Sequence, residues 1–144
     1  MSWRANIIDD SAGIAHLLTA TRTIAVLGMK TEAQAGRPAF YVPRYLAQAG
    51  FDVIPVPVYY PDVTKIMGKP VYRRLIDVPV DVDLVNVFRR PEHIAPHVDD
   101  IIAKKPKAVW FQLGIRNDAA AQRLAEAGIK VVQDRCIMVD HRHL

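Results

Sequence analysis

One cysteine, Cys136, stands among 144 residues. A single thiol closes no internal disulfide and completes no multi-cysteine zinc site, which excludes both a stapled scaffold and a zinc-finger module. Long apolar runs are missing as well. Although 51% of the residues are hydrophobic, polar residues interrupt every stretch short of a bilayer-spanning length, and no basic-then-apolar leader opens the chain. The expectation is a cytoplasmic protein. Neither sign of charge dominates, with 19 Lys and Arg against 15 Asp and Glu. The net charge of +4 suits an anionic small molecule. The scattered cations form no basic stripe with interleaved aromatics, which leaves a nucleic-acid-binding module as a weak alternative. Also absent are the G-x-G-x-x-G and G-x-x-x-x-G-K-[ST] phosphate loops, the G-x-S-x-G elbow and H-E-x-x-H. No catalytic residue and no metal ligand set is assigned, and the expectation is a binding module.

What is present begins at Thr23-Ile24-Ala25-Val26-Leu27-Gly28, an apolar run of strand length ending on glycine and opening into a polar loop through Gly36-Arg37-Pro38. Near-continuous apolar runs are the mark of buried parallel strands. Glycine after such a strand allows backbone N–H groups to approach a phosphate. Ser11 to Arg22 reads as a leading helix, with Ile14, Leu17 and Leu18 on one stripe behind a cap at Asp10 or Ser11. Pro38 to Ala49 reads as a helix bearing Val42, Tyr45, Leu46 and Ala49, stopped by Gly50. Further strands are expected at Phe51–Val56, Val82–Phe88, Lys107–Leu113 and Ile129–Val132, and further helices around Ile94 to Ile102 and from Asn117 to Ala127. Asp62 to Val80 reads as an irregular connection with short turns.

Strands alternating with core-striped helices predict a single α/β domain over residues 1–144: a three-layer, doubly wound, Rossmann-like parallel sheet with the order 3-2-1-4-5. Ligands bind such sheets at the carboxyl ends of the strands. That rule gathers Gly28 to Pro38, Pro55 to Tyr60, Phe88 to Pro91 and Gln112 to Asn117 around one crevice.

NAD-binding sheets usually end their second strand on Asp or Glu, which holds the ribose hydroxyls. Here that strand ends Ile54-Pro55-Val56-Pro57, and the nearby acid, Asp52, lies at its other end. A small NAD(P)-dependent oxidoreductase is therefore the alternative, not the leading reading. Lys30, Arg37 and Arg89 at the carboxyl edge offer counter-charge to a phosphorylated ribose.

The ordered set I-A-V-L-G, R-P-x-x-x-V-x-x-Y-L-x-x-x-G-F, I-P-V, V-x-V-F-R, W-x-Q-x-G-I-x-N and V-x-D-R-C resembles the small stand-alone CoA-binding proteins. These are related in fold to the CoA-binding domain of the succinyl-CoA synthetase α subunit. The resemblance runs from Thr23 to Asp140 and implies CoA or an acyl-CoA as ligand. It also implies that Gly28, Met29 and Lys30 form the diphosphate-binding turn and that Arg37 and Pro38 open the helix behind it. Pro55, Val56 and Pro57 would begin the segment facing the nucleotide, and Phe88, Arg89, Gln112 and Gly114 would complete the site. Lys30 stands where the family commonly has a small hydroxyl residue, and Pro57-Val58 where it has Asn-Pro. Acyl-CoA-forming relatives carry a nucleotide-grasp domain and a phosphohistidine segment, for which 144 residues leave no room. A homo-oligomer or an acyl-CoA-handling enzyme is the partner this implies.

Three further features read first as structure. Pro96 between His93 and His97 argues against a continuous helix that would pair them as ligands. His141 and His143 beside Asp140 read as a solvated tail. Cys136 reads as a structural cysteine, with a thiol activated by Arg135 as the alternative.

Overall fold

The computed structural model describes residues 2–144. Helix α1 (Ser11–Thr19) leads into strand β1 (Thr23–Leu27), helix α2 (Pro38–Gln48) and strand β2 (Asp52–Val56). A small hairpin follows, β3 (Lys65–Ile66) and β4 (Lys69–Pro70), and then β5 (Leu84–Val87), α3 (Val98–Lys104), β6 (Ala108–Phe111), α4 (Asp118–Glu126), β7 (Lys130–Val132) and α5 (Ile137–Arg142). Caps expected from the sequence are made. The Asp10 carboxylate accepts from Gly13 N at 2.6 Å, and the Asn117 amide oxygen accepts from Ala120 N at 3.0 Å, each satisfying an N–H that the helix itself leaves unpaired.

Strands β2, β1, β5, β6 and β7 lie side by side in that order, all parallel. Side chains alternate across the sheet, so each strand feeds two cores. Ile24, Val26, Val53, Leu84 and Trp110 pack under α1, α2 and α5 with Leu18, Phe40, Leu46 and Ile137. Ala25, Leu27, Val56, Val85, Val87 and Phe111 pack under α3 and α4 with Leu75, Val98, Ile101 and Leu124. The expected three-layer α/β class is thus the observed one.

The expected order 3-2-1-4-5 is not. Counting only the five strands of this sheet, the order is 2-1-3-4-5, with β5 between β1 and β6 and β2 at the edge. Pro55 supplies the physical reason. Asp52 N donates to Arg22 O at 2.9 Å, and alternate residues of a parallel strand face the same neighbour, so Ile54 and Val56 turn their amides to β1 while Val53 and Pro55 face outward. A proline there has no N–H for a further strand, which confines β2 to the edge. The outward carbonyl of Pro55 instead accepts from Tyr72 N at 3.1 Å. The chain then returns across the face opposite α2, with Leu75 and Val78 in the α3–α4 core, as right-handed crossovers demand of a reversal in direction.

Three local differences matter for the site. Residues expected to be irregular form the β3–β4 hairpin, turning through Met67 and Gly68 at φ of 52° and 73°, the left-handed pair of a two-residue hairpin loop. The helix expected around Ile94 is broken into 3₁₀ turns, Pro91–His93 and Ala95–His97, before α3, which agrees with the breaking role of Pro96. The tail expected to be solvated is α5 instead. Its His141 is packed edge-on against Tyr45 and Phe51, with Nδ1 2.7 Å from the Tyr45 hydroxyl.

Candidate functional site

The order 2-1-3-4-5 moves the switch point to the carboxyl ends of β1 and β5, where successive connections leave on opposite faces. Gly28 follows β1 and Phe88 follows β5, and they touch. Gly28 N donates to Val56 O and Phe88 N to Leu27 O, both at 2.9 Å. Gly28 has φ +89°, and a Cβ on it would collide with the Phe88 carbonyl oxygen and lie 3.2 Å from Arg89 Cδ. The glycine is therefore required by the closure of one strand end on another. Gly36, by contrast, has open space around it.

From this junction a cleft of about 340 Å³ opens, lined on one side by Lys30, Arg37, Pro38 and Ala39, on another by Phe88, Arg89, Arg90 and Pro91, and on the third by Gln112, Leu113, Gly114 and Ile115. Each wall is tied down by a hydrogen bond to its backbone. Lys30 N donates to Ala39 O at 3.1 Å, folding the loop after β1 onto the first turn of α2, and Pro38 occupies the first helical position, where its missing N–H costs nothing. The Asn117 side chain donates to Pro91 O at 3.0 Å and ties the α4 cap to the loop after β5. Gly114, at φ +84°, donates to the Asp134 carboxylate at 2.7 Å.

Seven of the residues singled out from sequence meet in this cleft: Lys30, Arg37, Pro38, Phe88, Arg89, Gln112 and Gly114. Gly28 lies beneath it. Met29 does not face it; that side chain is buried in the core under α2. Pro55 lines a different groove, on the outer edge of β2 with Lys69 and Tyr72. Val56 is buried in the sheet and contributes its carbonyl to Gly28, and Pro57 is buried just beyond it. Arg90, Pro91, Leu113 and Ile115 also line the cleft and fall within the segments gathered by the strand-end rule without being named as site residues, while Ala39 lies just outside those segments. Arg90 has a visible signal in the run Arg89-Arg90-Pro91 and Ile115 in the motif W-x-Q-x-G-I-x-N, whereas Ala39 and Leu113 carry no chemistry a sequence pattern would flag.

The electrostatics are one-sided. Four cations and no carboxylate line the cleft, and among the described residues none of these four takes part in an ion pair. The nearby acid Glu32 is turned away, accepting from Met67 N at 3.0 Å. Arg89 lies over one aromatic ring. Its guanidinium carbon lies 5.2 Å from the ring centre of Tyr59, and its Nε is buried with no hydrogen-bond partner. Arg89 also acts on its neighbours. By donation toward the phenol and by its charge it holds Tyr59 below the usual phenol range, with Arg90 and Lys30 adding to the effect. Burial first, and then the charge of Arg89, push His97 below the usual imidazole range against an opposing pull from Asp100.

On the floor of the cleft, Gln112 Oε1 accepts long contacts from Ile137 N and Asn86 Nδ2, both 3.4 Å. Asn86 is fully buried and its Oδ1 has no partner. Cys136 is half-buried ahead of α5, and Arg135 beside it is engaged by Asp140 in two contacts of 2.7 and 2.8 Å. Larger surface grooves lie elsewhere. One of about 810 Å³ runs between α1 and α5, and one of about 600 Å³ borders α4 and contains the Arg116–Asp118 pair. Both mix acids with bases, unlike the cleft lined by Lys30, Arg37, Arg89 and Arg90. No group of three or more potential metal ligands exists among the described residues.

Comparison with known proteins decides the family. The CoA binding domain matches residues 22–142. The chain belongs to that CoA-binding family. YneT of Bacillus subtilis strain 168 is 31% identical over 130 residues, 90% of this chain and 93% of YneT. A Thermus thermophilus structure is 38% identical with a TM-score of 0.85 over 94% of this chain and 98% of its own. A Pyrococcus horikoshii OT3 structure is 30% identical with a TM-score of 0.84 over 94% and 92%. The fold also recurs in an acetyl-coenzyme A synthetase of Ca. Korarchaeum cryptofilum, 20% identical with a TM-score of 0.63 over 76% of this chain and 25% of the synthetase. No helix in the described residues is long and apolar enough to cross a membrane.

Proposed function

We propose that this protein binds CoA or an acyl-CoA in the cleft at the β1–β5 switch point. Lys30, Arg37, Arg89 and Arg90 receive the phosphate groups, and the first turn of α2 directs its positive end at them. The observation that carries this reading is the unpaired, cation-only lining in a CoA-binding family member. CoA brings a diphosphate and a 3′-phosphate, and the four cations offset that charge without a carboxylate to repel it. The buried, unpartnered Nε of Arg89 is a donor waiting for an acceptor, because an orphaned buried N–H costs free energy that a bound anion recovers. Phe88, Leu113 and Ile115 on the remaining walls offer apolar surface to the uncharged parts of the ligand.

A nicotinamide nucleotide finds less. No carboxylate stands at the carboxyl end of β2, and Asp52, at its other end, is bonded to Lys69 at 2.9 Å. The test is calorimetric titration with CoA, 3′-dephospho-CoA, NAD and NADP at one salt concentration. Saturable binding of CoA, weakened by removal of the 3′-phosphate, is the expected result. Heat from NADP with none from CoA would overturn the reading.

A further inference from the structure

We propose that Tyr59 is a positioning residue for anion binding, holding the Arg89 guanidinium by its face so that its N–H edge serves the cleft, and that Arg73 holds Tyr59 in turn. The inference rests on the cleft being the anion site but concerns residues outside its lining. Three observations meet at one loop. First, the Arg89 guanidinium lies over the Tyr59 ring, its carbon 5.2 Å from the ring centre. A contact with one ring does not engage every donor of a guanidinium. One of those donors, Nε, is buried and unpartnered.

Second, Tyr59 is not buried: it is 56% exposed, and no core packing explains its placement. The placement comes from Arg73, whose guanidinium donates to Tyr59 O at 3.3 Å, to Pro61 O at 3.2 Å and to Val63 O. A cation spent on three carbonyls, and in no ion pair among the described residues, fixes a loop, since each contact orders backbone that proline-rich sequence cannot tie into a ladder. Third, Tyr60 takes φ +65°, a left-handed conformation that an aromatic residue adopts only at a cost. Such strain persists only where surrounding contacts over-determine it. An arginine that has already lost freedom before binding gives up less on binding. The contacts from Arg73 to Tyr59 and from Tyr59 to Arg89 therefore preorganise a lining residue from outside the cleft.

The test is a double-mutant cycle on the full chain, read by calorimetry with CoA and, separately, with inorganic pyrophosphate. Tyr59→Leu is expected to weaken both ligands about fivefold, Tyr59→Phe to keep near-normal affinity because the ring face remains, and Arg73→Met to fall between. In an Arg89→Ala background, Tyr59→Leu is expected to have no further effect. A loss of equal size in that background means that Tyr59 contacts ligand directly and overturns the proposal, as does normal affinity in Tyr59→Leu. A spectroscopic readout runs beside it. Because Arg89 holds the Tyr59 phenol low, pyrophosphate should raise its ultraviolet titration midpoint, identified by subtraction of the Tyr59→Phe titration, and Arg89→Ala should abolish the shift. If pyrophosphate couples to Tyr59 while CoA does not bind, the CoA reading fails and this one stands. If neither ligand binds, this one fails too.

Discussion

The backbone of Phe88 occupies the space that a side chain on Gly28 would need. The two residues end adjacent parallel strands, and their approach brings the loops after β1 and β5 to a common edge. Gly28→Ala must therefore push Phe88 away or unwind a φ of +89°, and either route strains the sheet. The expected result is a loss of about 2–4 kcal/mol in chemical denaturation, measured without ligand. Normal stability combined with lost CoA binding would instead give Gly28 the role first read from sequence, keeping the phosphate approach clear.

Arg37 and Arg90 are exposed on the rim of the cleft, where solvent and salt screen their charge. Arg37→Ala is expected to weaken CoA binding severalfold at low ionic strength and to have little effect near 0.5 M salt. It should leave the denaturation midpoint unchanged within about 0.5 kcal/mol. Calorimetry across a salt series checks this. A loss that persists at high salt would mean that Arg37 shapes the start of α2 and does not act as a charge.

Much of this arrangement is legible in the sequence, and what was misread has identifiable causes. Apolar runs and helix stripes give the class, because burial on both faces imposes them, and the strand-end rule collects Lys30, Arg37, Phe88, Arg89 and Gln112 without coordinates. Strand order was misread although Pro55 carries the information: a proline mid-strand forbids a neighbour on its N–H side. Met29 is placed on the diphosphate-binding turn by the family resemblance, and its side chain enters the core, which leaves its backbone as the part that can face a ligand. The roles of Arg73 and Tyr59 depend on contacts across 14 positions of chain and across sheet ends, which no local pattern records. Helix α5 was missed because six residues are too few for a periodic stripe, and its stability comes from packing on Tyr45 and Phe51.

Asp83 predicts how the fold responds to acid. Its carboxylate accepts from Arg22 N at 2.9 Å and Thr23 N at 3.0 Å, and Lys107 Nζ stands 3.5 Å away, so one side chain joins the starts of β1, β5 and β6. Burial raises its pKa, but the two amide donors and Lys107 outweigh it and the net direction is down. A carboxyl whose folded pKa is depressed contributes stability above its unfolded value, near 4, and loses that contribution as pH falls through the folded value. Asp83→Asn should therefore be less stable than the parent at pH 7, with the gap narrowing below about pH 4. Denaturation at a series of pH values checks the sign. A gap that widened in acid would mean that Asp83 is strained rather than stabilised by these donors.

Asn86 sits at the centre of the sheet, between Val26 and Trp110 in register, with no solvent exposure and an unpartnered Oδ1. Its two donor contacts are long, 3.4 Å to Trp110 O and 3.4 Å to Gln112 Oε1, and long hydrogen bonds repay little of the cost of burying an amide. On stability alone an apolar β-branched residue belongs there. Asn86→Val is expected to raise stability by about 1 kcal/mol. The amide is also one of the groups holding Gln112 at the floor of the cleft, and polar groups kept at a cost to stability are a recurrent mark of functional sites. The same variant should then bind CoA more weakly, because Gln112 keeps only its contact with Ile137 N. Denaturation and calorimetry on one preparation separate the two effects. Higher stability with unchanged binding would leave Asn86 without a part in the site, and lower stability would show that its two long contacts hold the strands together after all.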